Sequence, residues 1–169
     1  NNLNVEETTV KLANHVHNEL HIPTIAHLPA AYLTKEKVRS VLHSLDEIGV
    51  HQILALRGDI INGLSPKEDF KYATDLVSFI KEEAPQFDII GACYPEGHPE
   101  SPNAVSDIKN LKKKVDAGCS TLVSQLFFDN EAFYNFQEKC ILADIEVPII
   151  AGIMNNINRN QAPRHMKTY

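Results

Sequence analysis

Residues 49–59 read Gly49-Val50-His51-Gln52-Ile53-Leu54-Ala55-Leu56-Arg57-Gly58-Asp59, and their reading decides the fold. After a glycine stop comes the run QILAL, which is near-continuously apolar, and then an abrupt polar turn. A strand with one face in water would alternate. A run like this predicts a strand covered on both faces, as in a parallel sheet. Four further runs of the same kind are present: TIAHL, DIIGAC, TLVSQLF and VPIIAGI. Strands are therefore predicted near 24–28, 52–56, 88–93, 121–127 and 147–153.

Helical periodicity fills the gaps. Val38, Val41, Leu42, Leu45 and Ile48 recur at spacings of three and four, behind Thr34 as N-cap and ahead of Gly49. Ser65-Pro66-Lys67-Glu68 reads as a capping box opening a helix whose apolar face is Phe70, Ala73, Leu76, Val77 and Ile80. Ser101-Pro102 opens another, with Ala104, Val105, Ile108, Leu111 and Val115 inward. A helix over 130–143 turns Phe133, Phe136 and Cys140 to one side, and Glu6 to Leu20 forms a leading helix. Strand and helix alternate throughout, so the fold class is α/β, built from about five parallel βα units with right-handed crossovers. No linker interrupts them, and one domain over residues 1–169 is expected.

Length bears on the architecture. A (βα)8 TIM barrel usually needs about 250 residues, or about 31 per unit, so 169 residues hold about five of eight units. Periodicity alone leaves open a five-stranded doubly wound sheet or an incomplete barrel. The formal net charge of −6 argues against nucleic acid as a partner. No apolar run approaches the roughly 20 residues of a membrane helix, and the leading residues are too polar for a signal peptide. Three cysteines without close spacing fit small buried side chains in a reducing, cytoplasmic setting. The open edges of a five-stranded sheet would favour homo-oligomers.

In either parallel architecture ligands bind beyond the carboxyl ends of the strands. His27 lies at the end of the first run, Arg57-Gly58-Asp59 follows the second, and Tyr94-Pro95-Glu96-Gly97-His98 the third. Gln125 interrupts the fourth, and Met154-Asn155-Asn156 follows the fifth. Gln125 in an apolar run points to function unless it is otherwise hydrogen-bonded. Each of the others has a duller reading: an Arg57–Asp59 ion pair, a proline-punctuated turn at Tyr94, a core histidine at position 27. His15 and His17 make an unpromising metal pair, and no metal site is expected. No G-x-G-x-x-G, P-loop, C-x-x-C, H-E-x-x-H or G-x-S-x-G motif is present.

Read in order, LALRGD (54–59), YATDLV (72–77), YPEGHPE (94–100), DIKNLKKKVDAG (107–118) and SQLFFD (124–129) make the chain resemble the methylenetetrahydrofolate reductase family over about residues 15–161. The resemblance implies an FAD-dependent enzyme of one-carbon metabolism on a βα barrel. It would pass a hydride from NAD(P)H through FAD to 5,10-methylenetetrahydrofolate, giving 5-methyltetrahydrofolate. It implies FAD contacts from His27, Arg57, Gly58, Asp59, Ala73, Tyr94, His98, Asp107, Asn110, Lys113 and Lys114. It also implies folate contacts from Asp59, Gln125 and Gln161. Asp59 would tune the flavin and hydrogen-bond the pterin, while the two adjacent lysines would balance a pyrophosphate.

The sequence departs from the family pattern in places. The family's general acid is a glutamate on its first strand, and no residue here matches it; Glu6, Glu7 and Glu19 do not. The first two barrel strands and the last have no counterpart, so weak or no folate reduction is expected of these 169 residues alone. Asn155-Asn156 replaces the usual proline after Gly152-Ile153-Met154, Pro163 falls where a helix should continue, and Pro29 replaces a polar residue after His27-Leu28. Two alternatives stand beside the enzyme: a truncated, non-catalytic flavin- or nucleotide-binding module, and a doubly wound interaction domain.

Overall fold

Alternating apolar runs and amphipathic segments resolve into strands and helices close to where the sequence puts them. The computed structural model describes residues 5–61 and 63–153. It begins with α1 (Val5–Asn14), which continues into one π turn, His15–Glu19, and completes the leading helix. Then follow β1 (Ile25–Pro29), α2 (Lys35–Glu47), β2 (Gln52–Leu56), α3 (Ala73–Glu83) and β3 (Asp88–Cys93). The chain goes on through α4 (Ala104–Asp116), β4 (Thr121–Ser124), α5 (Asn130–Leu142) and β5 (Ile149–Ile150). The sheet order is β1-β2-β3-β4-β5, with parallel pairing of β1 with β2, β2 with β3, and β4 with β5. Among the described residues the fold is α/β, with a parallel five-stranded sheet of TIM-barrel type, fewer strands than a full barrel has.

The chain divides into two compact units, residues 1–91 with 113–120, and residues 92–112 with 121–169. In the first, the core joins Ala26, Leu28, Ile53, Ala55 and Ile89 of the strands to Val38, Val41, Leu42, Leu45, Leu76, Val77 and Ile80 of the helices. β3 buries Ile89, Ile90 and Gly91 in succession, as its apolar run predicts, but β1 and β2 are not covered equally on both faces, which corrects the expectation for these two. On β1, Ala26 and Leu28 are buried while Ile25 and His27 are exposed; on β2, Ile53 and Ala55 are buried while Leu54 and Leu56 are half-buried. In the register Ile25, Gln52 and Asp88 align in one exposed row, and two of these three residues are polar.

Helix α2 starts where Thr34 predicts, its Oγ1 accepting from the Lys37 N–H at 3.3 Å. Helix α3 does not start at Ser65. It opens at Ala73, where the Asp75 carboxylate accepts from the Tyr72 N–H at 2.8 Å. The residues before it are committed elsewhere. The Lys67 N–H donates to the Ala31 carbonyl (2.7 Å), Asp69 accepts from the Lys35 N–H (3.1 Å) at the start of α2, and Phe70 is buried in the core. A helix over 65–72 would have to give up both of these hydrogen bonds.

In the second unit β4 is short, pairing Leu122 with Ile149 and Val123 with Ile150. The run 121–127 leaves the ladder after Ser124, and 147–153 contributes two residues, with Pro148 offering no N–H. Helix α4 begins at Ala104 rather than at Ser101, and Leu111 is its one buried residue among those described; Val105, expected inward, is 64% exposed. Helix α5 is capped by Asp129 and buries Phe136 and Cys140, while Phe133 is half-buried.

Cys93, Cys119 and Cys140 are free and buried, as expected of small apolar side chains. Burial pushes the Cys119 and Cys140 thiols up to about 11, so little thiolate exists at neutral pH. In the native chain at pH 8 both should resist a maleimide until denaturant is added, as intact mass will show.

One ion pair in the first unit sets an acid limit. Arg39 grips Glu83 with two bonds of 2.8 Å, holding the Glu83 carboxyl below its usual 4.5. A depressed folded value means that this contribution is present above about 4.5 and is lost as pH falls through the lower folded value. The thermal midpoint should therefore decline below about pH 4.5, and less steeply in Glu83→Gln, as scanning calorimetry against pH will record.

Candidate functional site

The polar residues after the strands form two clusters, one in each unit. In the first unit the turn after β2 is built against the turn after β1. The Ala31 N–H donates to the Arg57 carbonyl at 2.7 Å, the Ala30 N–H to the Leu56 carbonyl at 3.1 Å, and the Ile61 N–H to the Tyr32 hydroxyl at 2.7 Å. Gly58 takes φ +88°, and a Cβ there would come within 2.9 Å of Pro29 Cβ. Only glycine fits both demands. Gly58→Ala should cost about 1–3 kcal/mol in urea unfolding and displace the turn's two charged residues.

This packing holds Arg57 half-buried, with its Nε donating to the Gly58 carbonyl at 3.3 Å, and leaves Asp59 exposed. Among the described residues the Asp59 carboxylate has no hydrogen-bonded partner and no ion pair, so the local Arg57–Asp59 pair is not formed. His27 is exposed on β1, which removes the reading of a core histidine. Ala73 is half-buried as the first residue of α3.

In the second unit the loop after β3 is organised by Asp107. Its Oδ2 accepts from the His98 N–H (3.1 Å) and its Oδ1 from the Ser101 hydroxyl (3.0 Å). The His98 ring meets Tyr94 edge-on, centroids 4.5 Å apart. The Glu100 N–H donates to His98 Nδ1 at 3.1 Å, so the neutral imidazole carries its proton on Nε2 and presents a donor there. Asn110 is exposed on α4. Further along the same helix, within the first unit, Lys113 is exposed and Lys114 half-buried.

Gln125 is half-buried, and its backbone N–H donates to the Cys93 carbonyl at 2.7 Å. Its side-chain Oε1 accepts from the Leu126 N–H at 3.1 Å, so half of the amide is satisfied locally. Ser124, 5% exposed, accepts the Gly152 N–H through its hydroxyl at 2.8 Å. Gln161, with Met154, Asn155 and Asn156, lies outside the described residues. Tyr32 and Asp69, which brace the first unit's turns, are absent from the sequence reading, and Glu96 and Ser101 stand in it only within a loop and as a helix start. Glu96 and Ser101 lie inside or beside YPEGHPE and could have been found there; Tyr32 and Asp69 carry no local signal.

Residues 2–168 match the family model described as methylenetetrahydrofolate reductase. The chain belongs to the methylenetetrahydrofolate reductase family. It is 42% identical over 138 residues to the 5,10-methylenetetrahydrofolate reductases of Salmonella typhimurium and Escherichia coli, covering 82% of this chain and 46% of each relative. The enzyme of that name from Buchnera aphidicola of Acyrthosiphon pisum is 39% identical over 166 residues, 96% of this chain and 55% of the relative. The chain thus spans about half the length of the curated methylenetetrahydrofolate reductases that it matches. Among solved structures, a 2,3-dimethylmalate lyase of the PEP mutase/isocitrate lyase superfamily superposes with a TM-score of 0.61 at 12% identity, over 96% of this chain and 63% of that one. An oxaloacetate acetylhydrolase gives 0.59, also at 12% identity, over the same shares. At such identity these two show the fold alone.

The residues present suit the flavin that the methylenetetrahydrofolate reductase family implies. Taken unit by unit, the first offers Lys113 as an exposed positive charge and Gly58, where backbone can approach closely and a side chain would intrude, and the second offers His98 with an Nε2–H donor. Asp107 fits less simply, because each of its oxygens already accepts a bond from its own loop.

Proposed function

We propose that this chain carries the flavin and folate residues of a methylenetetrahydrofolate reductase. The observation that supports this most is the turn Arg57-Gly58-Asp59, where LALRGD is folded so that an exposed carboxylate, without a partner among the described residues, stands beyond the end of a parallel strand. FAD, when bound, supplies the hydride relay from NAD(P)H to 5,10-methylenetetrahydrofolate. In the first unit, His27, Arg57, Gly58 and Ala73 line the flavin, and Lys113 and Lys114 neutralise phosphate charge. Asp59 accepts hydrogen bonds from the pterin and keeps negative charge beside the ring system. In the second unit, Tyr94 and His98 flank the cofactor, Asn110 and Asp107 reach its ribose and phosphates, and Gln125 binds folate or nicotinamide. Gln161 belongs to the same proposal as a folate contact.

The wider reading has the same standing. Residues 1–169 act as one partial barrel domain, and the chain works in the cytoplasm, where its three free cysteines stay reduced. Among the described residues no helix is long and apolar enough to cross a membrane. Self-association into homo-oligomers, read by sedimentation velocity, completes the proposal.

The deciding experiment is titration of the purified chain with FAD. Quenching of flavin fluorescence that saturates at one FAD per chain is expected, and Lys113→Ala with Lys114→Ala should weaken it. Fluorescence unchanged by added protein would sink the proposal.

A further inference from the structure

We propose that Glu96 is a positioning residue that sets the loop carrying Gln125. β4 ends at Ser124, and among the described residues three attachments hold the backbone that follows within the second unit. The Gln125 N–H donates to the Cys93 carbonyl at 2.7 Å, the Phe127 ring stacks on Phe133 with centroids 4.7 Å apart, and the Phe128 N–H donates to Glu96 Oε1 at 3.2 Å. Only the last of these uses a side chain's charged group, and it reaches over from the loop after β3. It also falls one residue before Asp129, the N-cap of α5, where negative charge is favoured by the helix dipole.

The Gln125 side chain depends on that geometry. Its Oε1 is taken by the Leu126 N–H at 3.1 Å, and among the described residues Nε2 has no hydrogen-bond partner, so its two protons are available to a ligand. Gln125 therefore reads an acceptor atom, such as a pterin or amide carbonyl, as long as the 125–128 backbone is fixed. Without the Glu96 tie the Leu126 amide moves, Oε1 is released and the amide turns freely. The consequence for folate rests on the function proposed above; the tie itself does not.

The test compares the full chain with Glu96→Ala and Glu96→Gln. Amide exchange at Leu126 and Phe128 is followed by NMR, affinity for 5-methyltetrahydrofolate by calorimetry, and affinity for FAD by fluorescence. Glu96→Ala should speed exchange at both amides and weaken 5-methyltetrahydrofolate by about tenfold, with FAD affinity held within about twofold. Glu96→Gln, which keeps an acceptor of the same shape, should restore most of both losses. Unchanged exchange in Glu96→Ala overturns the inference, and so does faster exchange with undiminished 5-methyltetrahydrofolate affinity. If the unmutated chain binds no 5-methyltetrahydrofolate, the proposed function falls. The Leu126 exchange rate and its rescue by Glu96→Gln then decide the inference alone.

Discussion

Replacing Asp59 by asparagine is expected to weaken binding of 5-methyltetrahydrofolate by about 10- to 100-fold, the range lost with a charged hydrogen bond. The substitution preserves size and one acceptor oxygen, and the turn does not need the charge, because Asp59 is exposed and has no partner among the described residues. Stability in urea should therefore be unchanged, within the small range usual for a surface position. A second readout separates charge from shape. A negative group beside a flavin disfavours its anionic reduced form, so Asp59→Asn should move the flavin potential upward in spectroelectrochemistry. Folate affinity equal to the unmutated chain's, with an unmoved potential, would remove Asp59 from the site.

The largest effect on stability is expected at Phe87. Its ring is 1% exposed, packs against His51 with centroids 5.5 Å apart, and belongs to the core that joins the strands of the first unit to α2 and α3. The backbone around it is also committed: the Phe87 carbonyl accepts from Lys81 Nζ at 2.8 Å, and its N–H donates to the Ala84 carbonyl at 3.1 Å. With these bonds fixing the main chain, the space left by Phe87→Ala cannot close easily. The loss should be about 3–5 kcal/mol, read as a lower midpoint in urea with the slope unchanged. A loss below about 1 kcal/mol would mean that the surrounding side chains collapse into the hole.

The strands were the most legible part of this chain because burial writes itself directly into composition. QILAL and DIIGAC mark β2 and β3 to the residue, and β1 is displaced by one. What composition could not reveal was where polar backbone groups are spent. Ser65-Pro66-Lys67-Glu68 has every local mark of a helix start, yet Lys67 is bound to Ala31 and Asp69 to Lys35, more than thirty positions away. Likewise TLVSQLF is apolar enough for a longer strand, but at Gln125 the amide turns back onto the next N–H and the ladder ends. The site follows the same division. Asp59 and His98 are candidates because they lie in the polar turns that follow apolar runs, and Gln125 because it stands polar inside one. Their supports, Tyr32 and Glu96, act through tertiary hydrogen bonds that no spacing rule encodes.

The stitching of the long connection between β2 and α3 has a consequence for how this region tolerates change. Ala31 clasps it at both ends, receiving the Lys67 N–H and donating to Arg57, while Ile60, Ile61 and Leu64 between the clasps lie open to solvent. Closure entropy grows only slowly with the length of such a segment. An epitope or a small reporter spliced in between Gly63 and Leu64 would leave both clasps intact. This bulge is thus a natural socket for engineering, an arm's length from Asp59 in sequence and anchored independently of it.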